Sequence, residues 1–110
     1  MNNQGILQLF FEAENRRDWE NYKVFLHPNV EWTLFNDKEN QTISGLESYM
    51  SKIKTAYGES NDSFSCEIIY SSKSGNRVVA ILINNYGQRS TDVFEFENGL
   101  IRKEWEFLLG

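Results

Sequence analysis

The sequence predicts an α+β fold: three helices in the N-terminal half, then consecutive antiparallel strands whose curved sheet and the helices enclose an apolar pocket. Three observations carry this reading. Apolar residues recur at helical spacing in three early segments, apolar and polar residues alternate through much of the second half, and Asn98-Gly99 marks a tight hairpin between two strand-like runs. A chain of 110 residues has room for one domain, 1–110. With 40% hydrophobic and 15% aromatic residues, it is too rich in packing groups to be disordered. The rings are large and rigid, so they can fill a core or line a cavity without collapsing it.

Ile6, Leu9, Phe10 and Ala13 set the apolar stripe of the first helix, and Leu7 and Phe11 widen it. Glu12 and Glu14 fall to its polar, solvated side. Asn15-Arg16-Arg17 interrupts the stripe, and Asp18 is placed to cap a second helix by accepting from its free backbone N–H groups. That helix carries Trp19, Tyr22, Phe25 and Leu26 on one side. It stops near His27-Pro28, because a residue before proline avoids the α region. Val30, Trp32 and Leu34 then alternate with Glu31 and Thr33 as a half-buried strand. Residues 36–42 read as a polar loop. Ser44-Gly45-Leu46-Glu47 has the form of a capping box, opening a third helix with Leu46, Tyr49, Met50, Ile53 and Tyr57 on one face. Gly58 suits its C-terminal stop.

Strands follow the polar residues 59–63. Phe64, Cys66, Ile68 and Tyr70 share one face of the first. After the Ser74-Gly75-Asn76 turn, residues 78–83 are apolar on both faces, as in a central strand covered from both sides. Asp92, Phe94 and Phe96 alternate with Val93, Glu95 and Glu97. The last strand runs from Leu100 to Leu109. If the hairpin loop is Asn98-Gly99 alone, the register pairs Glu95 with Arg102, Phe96 with Ile101, and Asp92 with Trp105. It also sets Lys103 beside Phe94 on the inner face, an awkward place that snorkelling or a bulge would relieve.

Composition narrows the function classes. The formal net charge is −5 and the 11 basic residues are scattered, so neither nucleic acid nor an anionic membrane is an expected partner. No apolar run approaches the length of a membrane span. Cys66 is the only cysteine, which rules out an internal disulfide, and one His with one Cys leaves little for a zinc site. No metal and no cofactor are expected. The N-terminus lacks a signal-peptide pattern, and the expected location is the reducing cytoplasm.

The order of elements resembles the nuclear transport factor 2-like superfamily over nearly the whole chain. Its most specific stretches are Phe25-Leu26-His27-Pro28-Asn29-Val30-Glu31-Trp32, Ile43-Ser44-Gly45-Leu46, and Asp92-Val93-Phe94-Glu95-Phe96-Glu97-Asn98-Gly99-Leu100-Ile101 with Trp105 beyond. These are similar to the SnoaL-like polyketide cyclase and ketosteroid isomerase branches. The resemblance implies a cone: a strongly bent, mainly antiparallel sheet with the three helices packed in its concavity, a pocket at the open end, and a homodimer through the sheet. It also implies catalytic positions. The first-helix tyrosine of ketosteroid isomerases matches Phe10, their aspartate base matches Leu34, and their hydrogen-bonding aspartic acid matches Asp92. The acid–base aspartate that cyclases carry beyond the last-strand tryptophan falls among Phe107, Leu108, Leu109 and Gly110. The histidine often preceding that tryptophan is Glu104, which simple alternation points outward.

Asp92 is the main candidate, with two readings. Poorly solvated among Phe94, Trp105 and Phe107, it becomes a neutral acid that donates to a ligand oxygen; or it bonds the Trp105 indole N–H or a nearby backbone amide and serves packing alone. His27 reads as a surface or capping residue, and Cys66 as a small core residue. Tyr49, Tyr57, Tyr70 and Tyr86 read as core rings with hydroxyls at the rim. Phe10, Trp32, Leu34, Ile53, Phe94, Trp105 and Phe107 are the expected pocket walls. The first functional expectation is a homodimer that binds a small apolar or aromatic molecule, with Asp92 as polar anchor. The second is an acid–base enzyme of the same scaffold using Asp92. The third is a non-catalytic interaction module with a solid core.

Overall fold

The computed structural model describes residues 1–110. In chain order the elements are α1 (Asn3–Asn15), α2 (Trp19–Tyr22) running into a 3-10 turn (Lys23–Phe25), β1 (Leu26–Phe35), β2 (Asn40–Ser44), α3 (Leu46–Tyr57), β3 (Phe64–Ser71), β4 (Arg77–Asn84), β5 (Arg89–Glu97) and β6 (Leu100–Leu108). The six strands make one curved sheet in the order β2-β1-β6-β5-β4-β3. Only the β1–β6 pairing is parallel; the rest are antiparallel. No helix is long and apolar enough to cross a membrane.

The three helices pack on one face of this sheet. Leu7, Phe10 and Phe11 of α1, Tyr22 of α2, and Tyr49, Met50 and Ile53 of α3 meet Val30, Trp32, Val78, Ala80, Phe94 and Ile101 in a single buried core. Ring geometry fixes much of it. Phe10 stacks on Tyr22 with centroids 4.1 Å apart and meets Phe94 edge-on at 6.2 Å. Offset and edge contacts of this kind suit the ring quadrupoles, so α1 and α2 are locked onto β5 by shape as well as by apolar area.

Several local expectations give way to tertiary pairing. Asp18 does cap α2, accepting from Asn21 N. However, α2 is a single turn, and the chain from Leu26 joins the sheet instead of continuing a helix. Residues 40–44, read as loop and capping box, form the edge strand β2. Ser44 is engaged there, paired with Glu31, so Gly45 occupies the N-cap of α3 with φ +92° and no side-chain cap. Glycine is suited to that conformation because a Cβ would be strained at this φ.

Three irregularities interrupt the strand pairings, and the two in β3 and β6 each swing a run of side chains across the sheet. One lies between Leu26 and Glu31 in β1. A second, between Cys66 and Ile68, turns Ile68 and Tyr70 to the outer face, while Cys66, ahead of it and paired with Leu82, is exposed, so none of the three is a core residue as alternation suggested. The third matters most. Glu97 faces Leu100 and Phe96 faces Ile101 as the hairpin predicts, but Glu95 then faces Lys103, leaving Arg102 unpaired. Arg102 instead donates to Asn29 O at 2.6 Å, and Glu95 is held by Arg77 at 3.0 Å.

Past that bulge the expected pairings are displaced by one residue. Asp92 faces Glu106, not Trp105. Lys103 leaves the inner face, where it sat uncomfortably beside Phe94, and Glu104 takes its place.

Candidate functional site

The helices do not fill the concavity. Between α1, α3 and the β1, β5 and β6 part of the sheet lies an open cavity of about 510 Å3. Phe10, Trp32, Leu34, Ile53, Asp92 and Phe94 line it. Trp105 and Phe107, expected as walls, do not. The Arg102 bulge places them on the opposite face, where Phe107 is 38% exposed and stacks on Phe35 with centroids 4.5 Å apart.

Glu104 and Glu106 enter in their stead. The sheet register aligns Trp32 with Glu104 and Leu34 with Glu106 across β1–β6, and Asp92 with Glu106 and Phe94 with Glu104 across β5–β6. Asp92 and Glu104 are only 3% and 5% exposed. One oxygen from each of Asp92, Glu104 and Glu106 lies within 4.8 Å of the others. Ser90 Oγ donates to Asp92 Oδ1 at 2.6 Å, Tyr49 Oη donates to Glu104 Oε1 at 2.5 Å, and Trp32 Nε1 donates to Glu106 Oε1 at 3.2 Å. Trp105 bonds none of them. A fourth acid, Glu14, lines the same cavity from α1 and accepts from Tyr57 Oη. Behind the cluster, Tyr22 and Tyr49 hydroxyls meet at 3.1 Å.

Two carboxylates about 5 Å apart repel by roughly 3 kcal/mol at an effective dielectric near 20, and burial away from water penalises each charge further. Both effects favour protonation. Burial, then the Glu106 charge, holds Asp92 well above the usual carboxylate range, with the Ser90 hydroxyl opposing. Burial, then the charges of Glu106 and Asp92, does the same to Glu104. Glu106 is raised by burial and eased down by the Trp32 N–H. Burial pushes Glu14 up to about 7, against the Tyr57 hydrogen bond. Glu106 is the member that stays charged longest as protons are added, because its charge raises its two neighbours. The cluster thus offers a carboxylate beside neutral acids.

Cations touch the cavity only from its lining residues Lys52 and Arg89, and the Arg89 guanidinium is held by Glu67 at 2.7 Å. Three convergent carboxyl oxygens form an all-oxygen donor set of the kind hard divalent cations accept, unlike the N and S ligands considered from composition.

Other expected roles resolve simply. His27 Nδ1 accepts from Asn29 N, and its Nε2 lies 2.9 Å from Glu97 at the surface. Tyr70 and Tyr86 are exposed. Tyr49 carries its hydroxyl in the interior, on Glu104, and not at a rim. Sequence reading missed Glu14, Glu104 and Glu106. Glu14 completes the i, i+3, i+4, i+7 set begun by Leu7, Phe10 and Phe11, a signal that it shares their face. For the β6 pair the signal was the misplaced Lys103.

The SnoaL-like domain model matches residues 7–104, and the chain belongs to this family, within the nuclear transport factor 2-like superfamily. Solved structures share the fold. A SnoaL-like protein of unknown function from Burkholderia thailandensis is 14% identical, with a TM-score of 0.84 over 97% of this chain and 94% of that one. A Mycobacterium tuberculosis protein in complex with estradiol-17beta-hemisuccinate is 16% identical, with a TM-score of 0.79 over 96% and 93%. SalBIII, an epoxide hydrolase/cyclase-like enzyme in pyran ring formation in polyether salinomycin, is 14% identical, with a TM-score of 0.79 over 97% and 90%. No curated protein matches the chain.

Proposed function

We propose that the cavity binds a small molecule with an apolar or aromatic body, its polar end held by the carboxyl groups of β5 and β6. The observation that carries this reading is a space of about 510 Å3 walled by aromatic rings, with three acids gathered on its sheet side. Pockets of a few hundred Å3 with an apolar lining and few, convergent polar groups are the usual form of small-molecule sites. The steroid derivative bound by the Mycobacterium tuberculosis relative supports it by analogy of scaffold. A thermal-shift screen of hydrophobic carbonyl compounds and polycyclic phenols tests it, because a ligand of the folded state raises the melting temperature by mass action. A panel that leaves the midpoint unmoved contradicts it.

A second reading, an acid–base enzyme, is favoured by the pairing of Asp92 with Glu106. Proton abstraction next to a carbonyl needs a base and a donor to the developing oxyanion within one site. Glu106, the last of the cluster to lose its charge, serves as base, and neutral Asp92 donates to the oxygen. With 2-tetralone as probe, exchange of its α-protons in deuterated water measures this activity by NMR. Asp92→Asn is expected to slow the exchange by at least about 100-fold, the scale of removing one oxyanion donor. An unchanged rate ends the enzymatic reading.

The opposite face of the sheet supports a homodimer. Tyr70, Val79, Val93 and Trp105 align across β3, β4, β5 and β6, and Ile68, Ile81, Thr91, Phe107 and Phe35 form the next row. A charged row of Arg77, Glu95, Lys103 and Glu31 borders them. A greasy band with a polar rim is the anatomy of an interface.

A further inference from the structure

The polar end of the cavity is unusual in its sign. Acids reach it from three elements: Glu14 from α1, Asp92 from β5, and Glu104 and Glu106 from β6. Asp92 and Glu104 are more than nine-tenths buried, and each has one oxygen engaged, by Ser90 and by Tyr49. The second oxygen of each accepts no hydrogen bond within the chain. The cations nearest them are engaged elsewhere: Arg89 of β5 by Glu67, and Arg17 over the Tyr57 ring and on the Ser60 and Asp62 carbonyl oxygens. Around the acids stand aromatic rings: Trp32 from β1, Phe10 from α1, Tyr22 from α2, Phe94 from β5. Carboxylates that lack a counter-ion, surrounded by aromatic rings, are the two elements with which proteins recognise an organic ammonium group.

Resting on the reading that the cavity takes a small apolar molecule, we propose that this molecule carries a protonated amine, seated between the Asp92–Glu104–Glu106 cluster and the rings of Trp32 and Phe94. Binding then exchanges protons for a cation. The acids that hold protons in the free protein release them as the ammonium arrives, and the ligand's charge replaces theirs. A neutral ligand gives no such exchange. A bare divalent cation satisfies the oxygens but leaves the aromatic walls without a partner, so the lining favours an organic cation.

The charged and titratable groups facing the cluster set the pH response. They are Glu14 of α1, Arg17 just beyond it, Tyr22 of α2, Tyr49, Lys52 and Tyr57 of α3, and Arg89 of β5, besides the three acids themselves. Burial raises all four acids, Glu14 to about 7 and the other three above the usual carboxylate range. Deprotonation exposes the negative sites an ammonium needs. Amine affinity therefore rises with pH until the amine itself loses its proton, by about tenfold per pH unit for each proton displaced.

Isothermal titration of the full chain with 1-naphthylmethylamine and its neutral isostere 1-naphthylmethanol tests this between about pH 6 and pH 8. The expected result is amine binding at least about tenfold tighter than the alcohol near pH 8, strengthening with pH, with proton release seen as a buffer-dependent heat. The alcohol is expected to bind with no pH dependence. In the double variant Asp92→Asn/Glu104→Gln, which keeps the cavity's shape, the amine's advantage is expected to vanish while alcohol binding persists. The contrast within the unaltered protein stands even if that variant fails to fold. Equal, pH-independent affinities for both compounds overturn the amine assignment and leave the cavity reading intact. Binding of neither overturns both. Binding of Mg2+ or Ca2+ alone that displaces the amine reassigns the cluster to a metal and overturns the proposal.

Discussion

Replacing Glu104 by Gln is expected to raise the melting temperature above about pH 7 and leave it nearly unchanged near pH 4. The glutamate is buried beside Asp92 and Glu106, and burial with their charges raises its folded-state pKa well above the unfolded value. A carboxyl group raised in this way favours the folded state fully below its unfolded pKa. That contribution is lost as pH climbs through the folded pKa, because folding then requires either a buried charge or an uptaken proton. Glu14, moved from 4.5 to about 7, sets the scale: its contribution disappears between those values and amounts to roughly 3 kcal/mol once ionised. Stability of the unaltered chain thus declines from mildly acidic toward basic pH, the reverse of a protein held by ion-paired carboxylates. Glutamine keeps the oxygen that accepts from Tyr49 and removes the titration. Melting curves followed by circular dichroism from about pH 4 to pH 9 measure the difference, expected at roughly 5 °C or more at the basic end. Parallel curves for the two proteins contradict the buried cluster.

In the homodimer proposed through the outer sheet face, Trp105→Arg is expected to leave a monomer. Trp105 sits midway along the outer row, flanked by Val93 and Thr33, and the next row holds the Phe35–Phe107 stack, with planes 6° apart. Inside one chain nothing covers this face, as the exposure of Ile68, Tyr70 and Phe107 records. A guanidinium at its centre leaves a charge with no partner in the apolar contact, and central aromatic anchors carry most of an interface's binding energy. Dissociation is expected to become at least about 100-fold easier. Light scattering behind size exclusion at micromolar concentration reads it directly. A monomeric unaltered chain removes the dimer.

The parts of this molecule visible in its sequence are those set by local periodicity. The α3 stripe, the β1 alternation and the Asn98-Gly99 hairpin read correctly, because each is decided by neighbours within a turn or two; the α1 stripe reads in part, since Leu9 is exposed and Glu14 turns to the cavity. Asp92 was placed correctly too: it precedes the bulge and shares a face with Phe94 and Phe96. The carboxyl partners were hidden, because one unpaired residue, Arg102, reverses the facing of all that follows in β6, and nothing in the alternation of Glu104, Trp105, Glu106 and Phe107 chooses between the two registers. Composition alone favours the wrong one, with indole and phenyl inside and acids outside. What tips the balance lies elsewhere in the chain: Asn29 O receives Arg102, and Tyr49 and Trp32 supply donors for Glu104 and Glu106. The polar edge strand β2 was hidden for a related reason, since residues 40–42 stay exposed and only its pairing with β1 makes it a strand.

A carboxyl-carbon NMR titration, assigned through single Asp→Asn and Glu→Gln substitutions, tests the acid cluster most directly. Asp92 and Glu104 are expected to hold their protons well above the usual carboxylate range, with Glu106 ionising before them and Glu14 near its midpoint at about pH 7. If all four carboxyl groups instead titrate together between about pH 3.5 and pH 5, as solvated acids do, no acidic cluster lies inside the fold.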